Sequence, residues 1–324
     1  MRWFGLGAFV FLGTLAAGSA SHSYQQEWGT WESRASLTIP RGEVAVTELL
    51  GKIYVIGGFD GDRRSSSVVE VYDPTTDRWA QTAPLPRGLN HTMAAGANGK
   101  LYVIGGYLGP GLSNATNLVF EYDPTQNSWR ERAPMPTARA AGAIAAIDNS
   151  IYVVGGARSG RAVSDFAVYD PAQDRWAELP PMPTARDHIA AGAYQTRIFV
   201  VGGRPPFIGG LNLLEAFDLA TQRWQTLAPM PTGRSGIAAA VVRGCFYVFG
   251  GEGNTQSVTG VYAQNEVYDP RTNSWESQPP MPTPRHGIAA AVWNERIHIP
   301  GGGTMQGFSI SSVHEVYHPI KTCE

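Results

Sequence analysis

Six copies of one short apolar segment ending in two glycines constrain the fold of this chain more than any other feature. The copies are IYVIGG (53–58), LYVIGG (101–106), IYVVGG (151–156), IFVVGG (198–203), FYVFGG (246–251) and IHIPGG (297–302). Each is typical of a strand, because β-branched and aromatic residues dominate it and glycine permits positive φ or close backbone approach at its end. A repeat of about 50 residues indicates an array of similar units.

Each unit contains three further predicted strands. A run of small residues such as GIAAAVV (236–242) comes first, and EVYDP (70–74) and a strand opened by Trp79 follow the glycine pair. Asp-Pro followed by short polar residues is turn chemistry, because proline fixes φ and the polar side chains satisfy the local backbone. Four antiparallel strands form one propeller blade, and repetition of the blade around an axis forms the propeller.

Spacing supports the same architecture. From the tryptophan of each unit to the first glycine of the next pair the distance is 26 residues in all six cases. From the glycine pair to the next tryptophan it varies between 21 and 25 residues. One half of the unit is therefore geometrically fixed, and the other half contains a surface loop that tolerates insertions.

The two ends of the repeat array complement each other. The stretch WESRASLTIPR (31–41) is the end of a unit that lacks a beginning, and HEVYHP (314–319) is followed by no tryptophan. We therefore predict an all-β, six-bladed propeller with four antiparallel strands per blade, whose last blade is shared between residues 28–40 and 286–324. An N-terminal outer strand would join the C-terminal blade and close the ring, which removes the exposed edges of an open array.

These residues resemble the kelch-repeat family, which has the same Gly-Gly pair, a Tyr ahead of the Trp, and a Pro-rich segment with Arg such as PMPTAR (134–139). The resemblance covers residues 31–319 and implies a kelch β-propeller. Kelch propellers serve as peptide-binding adaptors, as glycan-associated modules and as scaffolds of a few enzymes, such as galactose oxidase and a sialic acid mutarotase. Function must therefore be argued from the site.

The N-terminus predicts export. Arg2, the apolar run WFGLGAFVFLGTLAA (3–17) and the small residues of GSA (18–20) are typical of a signal peptide spanning 1–20. A short segment, 21–27, would then precede the propeller, 28–324. A retained N-terminal anchor is the alternative, although the apolar run is short for a bilayer span. We expect a secreted monomer, extracellular or periplasmic, with no membrane span in the mature chain.

Charge and cysteine content narrow the function classes. The chain has 25 Lys and Arg against 27 Asp and Glu, so no global field favours nucleic acid as a partner. Its two cysteines, Cys245 and Cys323, fall in different repeats at non-equivalent positions, and their pairing stays open although export would permit it. Asn90 and Asn114 are glycosylation acceptors only if the source has that machinery.

Function should lie where the copies disagree, on the face that carries the loops after the glycine pairs and the Pro-x-Arg segments. Ten residues after the tryptophan stands an arginine in five copies, namely Arg41, Arg139, Arg186, Arg234 and Arg285, whereas the remaining copy has Leu89. One interpretation is structural, with each arginine bridging adjacent blades through backbone carbonyls. The other is a ring of guanidinium groups around the channel mouth that captures carboxylates, phosphates or sulfates, which the resemblance to peptide-binding kelch proteins favours.

Polar residues occur near the expected axis in only some copies. Two residues beyond the arginine position the chain has Glu43, His91, Ala141, His188, Gly236 and Gly287. His91 and His188 are therefore candidate ligand-binding residues, whereas Asp187 and His286, one residue earlier, should face the other side of their strands. The three histidines, His91, His188 and His286, come from alternate blades. However, His286 stands one residue before the repeat position of the other two, and no carboxylate recurs with them, so we predict no metal site.

Three further candidates, Tyr107, Arg204 and Glu252, begin variable loops. The loops are 59–67, 107–117, 157–165, 204–212, 252–265 and 303–312. They mix aromatic with small hydroxyl and amide residues, which is common in recognition surfaces and equally in solvated loop tips.

Enzyme signatures are weak. HEVYH (314–318) matches the zinc motif H-E-x-x-H, but it aligns with a repeat strand, on which the two histidines would be about 13 Å apart. A copper-radical oxidase would need a Tyr crosslinked to Cys. A mutarotase needs only an acid and a base, which Glu252 with Arg204 or His188 would supply.

We therefore predict a non-enzymatic module, without cofactor or catalytic residues, that recognises a protein or glycan, with an acidic ligand as one option. The alternative is a carbohydrate-active enzyme, mutarotase-like or oxidase-like, on a kelch scaffold. A ubiquitin-ligase adaptor role, known for intracellular kelch proteins, is disfavoured by the predicted signal peptide.

Overall fold

The computed structural model describes Met1 and residues 28–205 and 209–324. The predicted signal peptide beyond Met1 and the segment 21–27 lie outside these residues. Among the described residues the regular elements are all β-strands, and six four-stranded antiparallel sheets form the blades. This confirms the predicted six-bladed, all-β propeller. None of the described residues belongs to a helix long and apolar enough to cross a membrane.

In blades 1 to 5 the strands run from the axis outward in chain order. Blade 1 consists of β2 (Ala45–Leu49), β3 (Lys52–Ile56), β4 (Val69–Asp73) and β5 (Arg78–Gln81). Blade 2 consists of β7 (Met93–Ala97), β8 (Lys100–Ile104), β10 (Val119–Asp123) and β11 (Ser128–Glu131). Blade 3 consists of β12 (Ala143–Ile147), β13 (Ser150–Val154), β16 (Phe166–Asp170) and β17 (Arg175–Leu179).

Blades 4 and 5 follow the same order, and in blade 6 the N-terminal strand takes the outermost position. Blade 4 consists of β18 (Ala190–Tyr194), β19 (Arg197–Val201), β20 (Leu214–Asp218) and β21 (Arg223–Thr226). Blade 5 consists of β22 (Ala238–Val242), β23 (Cys245–Phe249), β24 (Asn265–Asp269) and β25 (Ser274–Gln278). Blade 6 consists of β26 (Ala291–Trp293), β27 (Arg296–Pro300), β28 (His314–His318) and β1 (Thr30–Ser33). Two short ribbons pair β6 (Leu89–Asn90) with β9 (Tyr107–Leu108) and β14 (Ala157–Arg158) with β15 (Arg161–Ala162).

The N-terminal strand closes the ring as predicted. β1 pairs antiparallel with β28, and Trp31 lies opposite Tyr317. The Trp31 ring packs against Tyr317 at 5.0 Å and against Phe249 of blade 5 at 5.7 Å between centroids. The first and last parts of the chain therefore complete one sheet, and β28 is paired on both sides, with β27 and with β1.

The tryptophans also join neighbouring blades. The indole N–H of each repeat tryptophan donates to a backbone carbonyl in the Pro-rich segment one unit earlier in the ring, with distances of 2.7–2.9 Å. Small residues of the innermost strands, such as Ala95, Ala145 and Ala240, line an axial channel of about 440 Å³. The repeat thus places bulky aromatics between blades and small side chains where the six strands converge.

Cys245 and Cys323 form a disulfide across 78 residues of sequence. The bond joins the C-terminal tail to the first residue of β23 in blade 5. The sequence left this pairing open, because neither the register nor the repeat equivalence of the two cysteines indicated that the tail returns to this strand. The bond settles it.

Candidate functional site

A closed ring of backbone hydrogen bonds surrounds one mouth of the channel. Its members, which we call the axial ring, are Glu43, His91, Ala141, His188, Gly236 and Gly287. The N–H of each member donates to the carbonyl of the member before it, and Glu43 completes the circle by donating to Gly287, with distances of 2.8–3.2 Å. All six have positive φ, between 49° and 65°. Non-glycine residues rarely adopt this conformation, so four side chains are held here at a cost in backbone strain.

This backbone conformation brings two unexpected side chains to the mouth. Asp187 Oδ1 lies 2.5 Å from His188 Nδ1, and His286 Nδ1 lies 3.5 Å from both Glu43 Oε1 and Glu252 Oε2. The expectation that Asp187 and His286 face away from the axial residues was wrong. It assumed the alternation of an extended strand, which the positive φ of the next residue interrupts.

The sequence candidates His91, His188, Arg204 and Glu252 meet at this mouth. Arg204 donates from Nη1 to Glu252 Oε1 at 2.6 Å and from Nη2 to His188 Nε2 at 3.2 Å. His91 Nε2 lies 3.1 Å from His188 Nε2 and 3.2 Å from Glu43 Oε2. Burial lowers the pKa of His91 well below its usual range, and the neighbouring His188 adds to the effect. We refer to Glu43, His91, Asp187, His188, Arg204, Glu252 and His286 as the mouth cluster.

Tyr107, another sequence candidate, supports the cluster from the side. Its ring packs edge-on against His91, with 5.6 Å between centroids, and it is 2% exposed. Burial, with a smaller contribution from Asp187, raises the pKa of Tyr107 to about 12. Its hydroxyl therefore stays protonated at physiological pH.

Apolar side chains from the variable loops form the walls above this polar floor. A cavity of about 50 Å³ is lined by Glu43, His91, His188, Arg204 and Glu252 together with Phe59, Leu112, Gly307 and Phe308. Phe59 packs edge-on against Phe308 at 5.0 Å. A small cavity with converging polar groups and apolar walls is the usual form of a binding site for one side chain or one small group.

The five repeat arginines lie inside the blades, each with at most 1% of its surface exposed. In blade 5, for example, Arg234 donates to the backbone carbonyls of Gly250 and Val248 and pairs with the Glu266 carboxylate. The carboxylate partner recurs as Arg41 with Glu70, Arg186 with Glu215 and Arg285 with Glu315. This position favours the structural interpretation, because a ligand above the mouth could reach these groups only if the side chains left the blades.

Arg139 is the exception among the five, because its blade has no glutamate at the position equivalent to Glu266. Ala167 occupies the glutamate position of the repeat, and Arg139 donates instead to the backbone carbonyls of Asp165 at 2.5 Å and Val153 at 3.3 Å. Burial lowers the pKa of Arg139 to about 10. In blade 2 both partners are apolar, since Leu89 and Phe120 replace the arginine and the glutamate and lie in one hydrophobic cluster.

Of the two glycosylation motifs, only one is accessible. Asn90 is fully buried, and its side-chain amide donates to Ser65 Oγ at 2.7 Å, so a glycan on Asn90 would not fit the folded protein. Asn114 lies exposed in the loop 107–117, where the fold leaves room for a glycan.

Comparisons with known proteins agree with this architecture. The family model described as KLHDC2/KLHL20/DRC7 Kelch-repeats domain matches residues 20–203 and 180–319. Kelch-like protein terF of Aspergillus terreus is 38% identical over 69 residues, which are 21% of this chain and 15% of that protein. F-box/kelch-repeat protein SKIP30 of Arabidopsis thaliana is 41% identical over 68 residues, 21% of this chain and 19% of that protein. Matches to the first relatives thus span a quarter of their length or less.

The solved structure of YjhT is 16% identical and superposes with a TM-score of 0.74, covering 87% of this chain and 95% of that one. At this identity the likeness concerns the fold alone. Together, the fold and the family match support a protein-interaction module. Because the family model matches nearly the whole repeat array, the chain belongs to the kelch-repeat family.

Proposed function

We propose that this propeller is an exported, non-enzymatic recognition module that binds a segment of a protein partner across the mouth cluster. One observation carries the proposal. Four large apolar side chains of the variable loops are exposed to between 39% and 103%, namely Leu112, Val258, Met305 and Phe308. Leu112 and Phe308 stand directly over the polar floor. An apolar rim around converging polar groups is the usual composition of a recognition surface.

The chemistry of the floor bears on the ligand. The acidic ligand expected from the sequence depended on accessible arginines, and the five repeat arginines are buried. Arg204 is the guanidinium that lines the cavity, and it is already paired with Glu252. We therefore propose a polypeptide segment that places apolar side chains against the rim, with no requirement for acidic residues.

Peptide selection on the purified chain tests this proposal. Peptides enriched from a display library should bind the wild-type protein in calorimetry and lose about tenfold or more in affinity to the Leu112→Ser/Phe308→Ser variant. Leu50→Ser is the matched control, because Leu50 is 67% exposed but lies in the β2–β3 turn, at the opposite end of the blade from the glycine pair.

Two outcomes would contradict the proposal. Equal loss of affinity in the Leu50→Ser control would place the contact elsewhere. Enrichment on a glycan array without any selected peptide would instead make the ligand a carbohydrate.

Export and the monomeric state belong to the same proposal. The apolar run at 3–17 supports a signal peptide, and the Cys245–Cys323 disulfide is a bond that persists in oxidising compartments. Intact-mass measurement of the exported protein should give a chain that begins near Ser21, and its light scattering should give the mass of one chain. Retention of residues 1–20 would instead favour an N-terminal anchor.

A second candidate function, a mutarotase-like enzyme, is favoured by the contacts among His188, Arg204 and Glu252. Glu252 and His188 could transfer protons to and from a sugar ring that entered the mouth, Arg204 would hold the Glu252 carboxylate in place, and Asp187 would orient His188. NMR of sugar anomers with wild-type protein and Glu252→Gln separates this function from recognition alone. The oxidase-like alternative loses support, because both cysteines are engaged in the disulfide and neither is free to crosslink to a tyrosine.

A further inference from the structure

We infer that Glu43, His91 and His188 form a binding site for a divalent transition-metal ion of the Zn²⁺ class at the mouth of the channel. The three side chains come from the axial ring, and one ligand atom from each lies within 4.8 Å of the other two. This inference goes beyond the recognition function, since it concerns what the floor of the site holds whichever partner lies above it.

The interatomic distances suit one tetrahedral ion. Zinc bonds imidazole nitrogen and carboxylate oxygen at about 2.0–2.2 Å, so two ligand atoms on a tetrahedral ion are about 3.3 Å apart. The observed separations are 3.1 Å between the two Nε2 atoms and 3.2 Å from His91 Nε2 to Glu43 Oε2. The arrangement needs no side-chain movement larger than a few tenths of an ångström on these two edges.

Hydrogen bonding fixes the orientation of His91. The Asn90 amide donates from Nδ2 to Ser65 Oγ, which itself donates to the carbonyl of Gly109. Asn90 Oδ1 must therefore be the atom that faces His91, and it accepts the Nδ1 proton at 2.6 Å. In the neutral imidazole the lone pair is then on Nε2, which points to the centre of the three ligands.

His188 is held in the same tautomer by a carboxylate. Asp187 Oδ1 lies 2.5 Å from His188 Nδ1. A carboxylate in this place orients many metal-binding histidines. The lone pairs of both Nε2 atoms consequently face each other at 3.1 Å, beside the Glu43 carboxylate. Three acceptor atoms converge, and of these His188 Nε2 accepts a hydrogen bond from Arg204 Nη2 at 3.2 Å, which a bound ion would replace. A cation between them resolves the repulsion.

The surroundings of the three ligands are acidic. Besides Glu43, the mouth cluster contains the carboxylates of Asp187 and Glu252, and both of these lie beside the single guanidinium of Arg204. Three carboxylates against one guanidinium leave an excess of acidic groups, which suits a divalent cation.

The donor set selects the class of ion. Two imidazoles with one carboxylate suit zinc and its neighbours in the first transition row, whereas Mg²⁺ and Ca²⁺ prefer all-oxygen sites. The cavity of about 50 Å³ borders all three ligands on the side of the mouth. It leaves room for a water molecule or a partner's oxygen at the fourth position, as in zinc sites that keep an open position.

Metal uptake by the purified, chelator-treated protein tests the site. Dialysis against Zn²⁺ followed by elemental analysis should give about one ion per chain, and calorimetry should give a dissociation constant. The variants Glu43→Gln and His188→Gln should each weaken Zn²⁺ binding by about 100-fold. His318→Gln is the matched control, because His318 also contacts a carboxylate, Glu32 at 3.0 Å, but lies at the end of β28, beside the outermost strand of blade 6.

Two results would overturn the inference. One is a wild-type protein that takes up no stoichiometric Zn²⁺. The other is uptake that the ligand variants leave unchanged or that His318→Gln abolishes equally. Circular dichroism checks the folding of each variant, and if His188→Gln fails to fold, Glu43→Gln carries the comparison. Peptide affinity of the recognition face is measured separately, so failure of one proposal does not decide the other.

Discussion

Separating the buried pair Arg234 and Glu266 should destabilise the propeller, whereas replacing both residues together should restore most of the loss. The pair is suited to this test because the chain contains its apolar counterpart. Blade 2 has Leu89 and Phe120 at the two equivalent positions. The double variant Arg234→Leu/Glu266→Phe therefore copies the apolar pair of blade 2, although there Thr92 Oγ1 also donates to the carbonyl of Gly105, the counterpart of Gly250.

The contacts of Arg234 set the expected magnitude. Its side chain is fully buried, and its donors reach the carbonyls of Gly250 at 2.7 Å, Thr232 at 3.0 Å and Val248 at 3.1 Å. Burial lowers the pKa of Arg234, and the Glu266 carboxylate opposes that shift. Glu266→Ala would leave a buried cation without its counter-charge, which costs about 3–5 kcal/mol.

Arg234→Leu alone should cost about as much, because it strands the Glu266 carboxylate and three carbonyls. If the two losses added, the double variant would lose about 6–10 kcal/mol. We expect instead about 2–4 kcal/mol, which covers imperfect repacking of the core and the three carbonyls that lose their donor.

Urea unfolding followed by tryptophan fluorescence measures these free energies, provided that the transition is a single cooperative step. Near-neutral single variants would contradict the structural role of the arginine and revive the interpretation as a ligand-binding residue. A fully additive double variant would show that the blade 2 solution does not transfer between blades.

Three further predictions concern the closure, the disulfide and pH. Trp31→Ala should lower the free energy of unfolding by about 2–4 kcal/mol and open blade 6 to proteolysis, and an unchanged urea midpoint would contradict the closure. Reducing the bond between Cys245 and Cys323 should cost about 2–4 kcal/mol, and a midpoint insensitive to reductant would refute this. Burial lowers the pKa of His298 to about 3 and that of His314 to about 4, from a usual 6.5. Below pH 6.5 the unfolded chain therefore binds more protons than the folded chain. The free energy of unfolding should fall there by up to about 1.4 kcal/mol for each pH unit and for each of the two histidines. A urea midpoint that stays constant down to about pH 5 would contradict this expectation.

The blades and their closure could be predicted from the sequence because they depend on periodicity. A constant distance from Trp31 and its counterparts to the next glycine pair requires one geometry per unit, and the incomplete units at the two ends fit together. The sequence also contained a signal that the arginines are buried. Where Leu89 replaces the arginine, Phe120 replaces the glutamate, and this joint loss of two charges indicates an internal pair.

The mouth cluster could not be predicted in the same way. Glu43, Asp187 and Glu252 are far apart in the sequence, and no spacing rule connects them. Their meeting depends on the positive φ of the axial ring, which turns Asp187 and His286 inward. Periodicity locates a repeat position, but it does not give the direction of a side chain where the strand geometry ends.

The axial ring itself distinguishes scaffold from site. Its hydrogen bonds require only a backbone that accepts positive φ, and two blades meet the requirement with Gly236 and Gly287. A Cβ on Gly287 would lie 2.6 Å from the Glu43 carboxylate, so this glycine also makes room for that side chain. Glycine would relieve backbone strain at His91 and His188 as well. Ala141 shows that the ring accepts positive φ without a functional side chain, so backbone geometry does not require an imidazole at His91 or His188. The proposed ligand at the mouth supplies a reason for both.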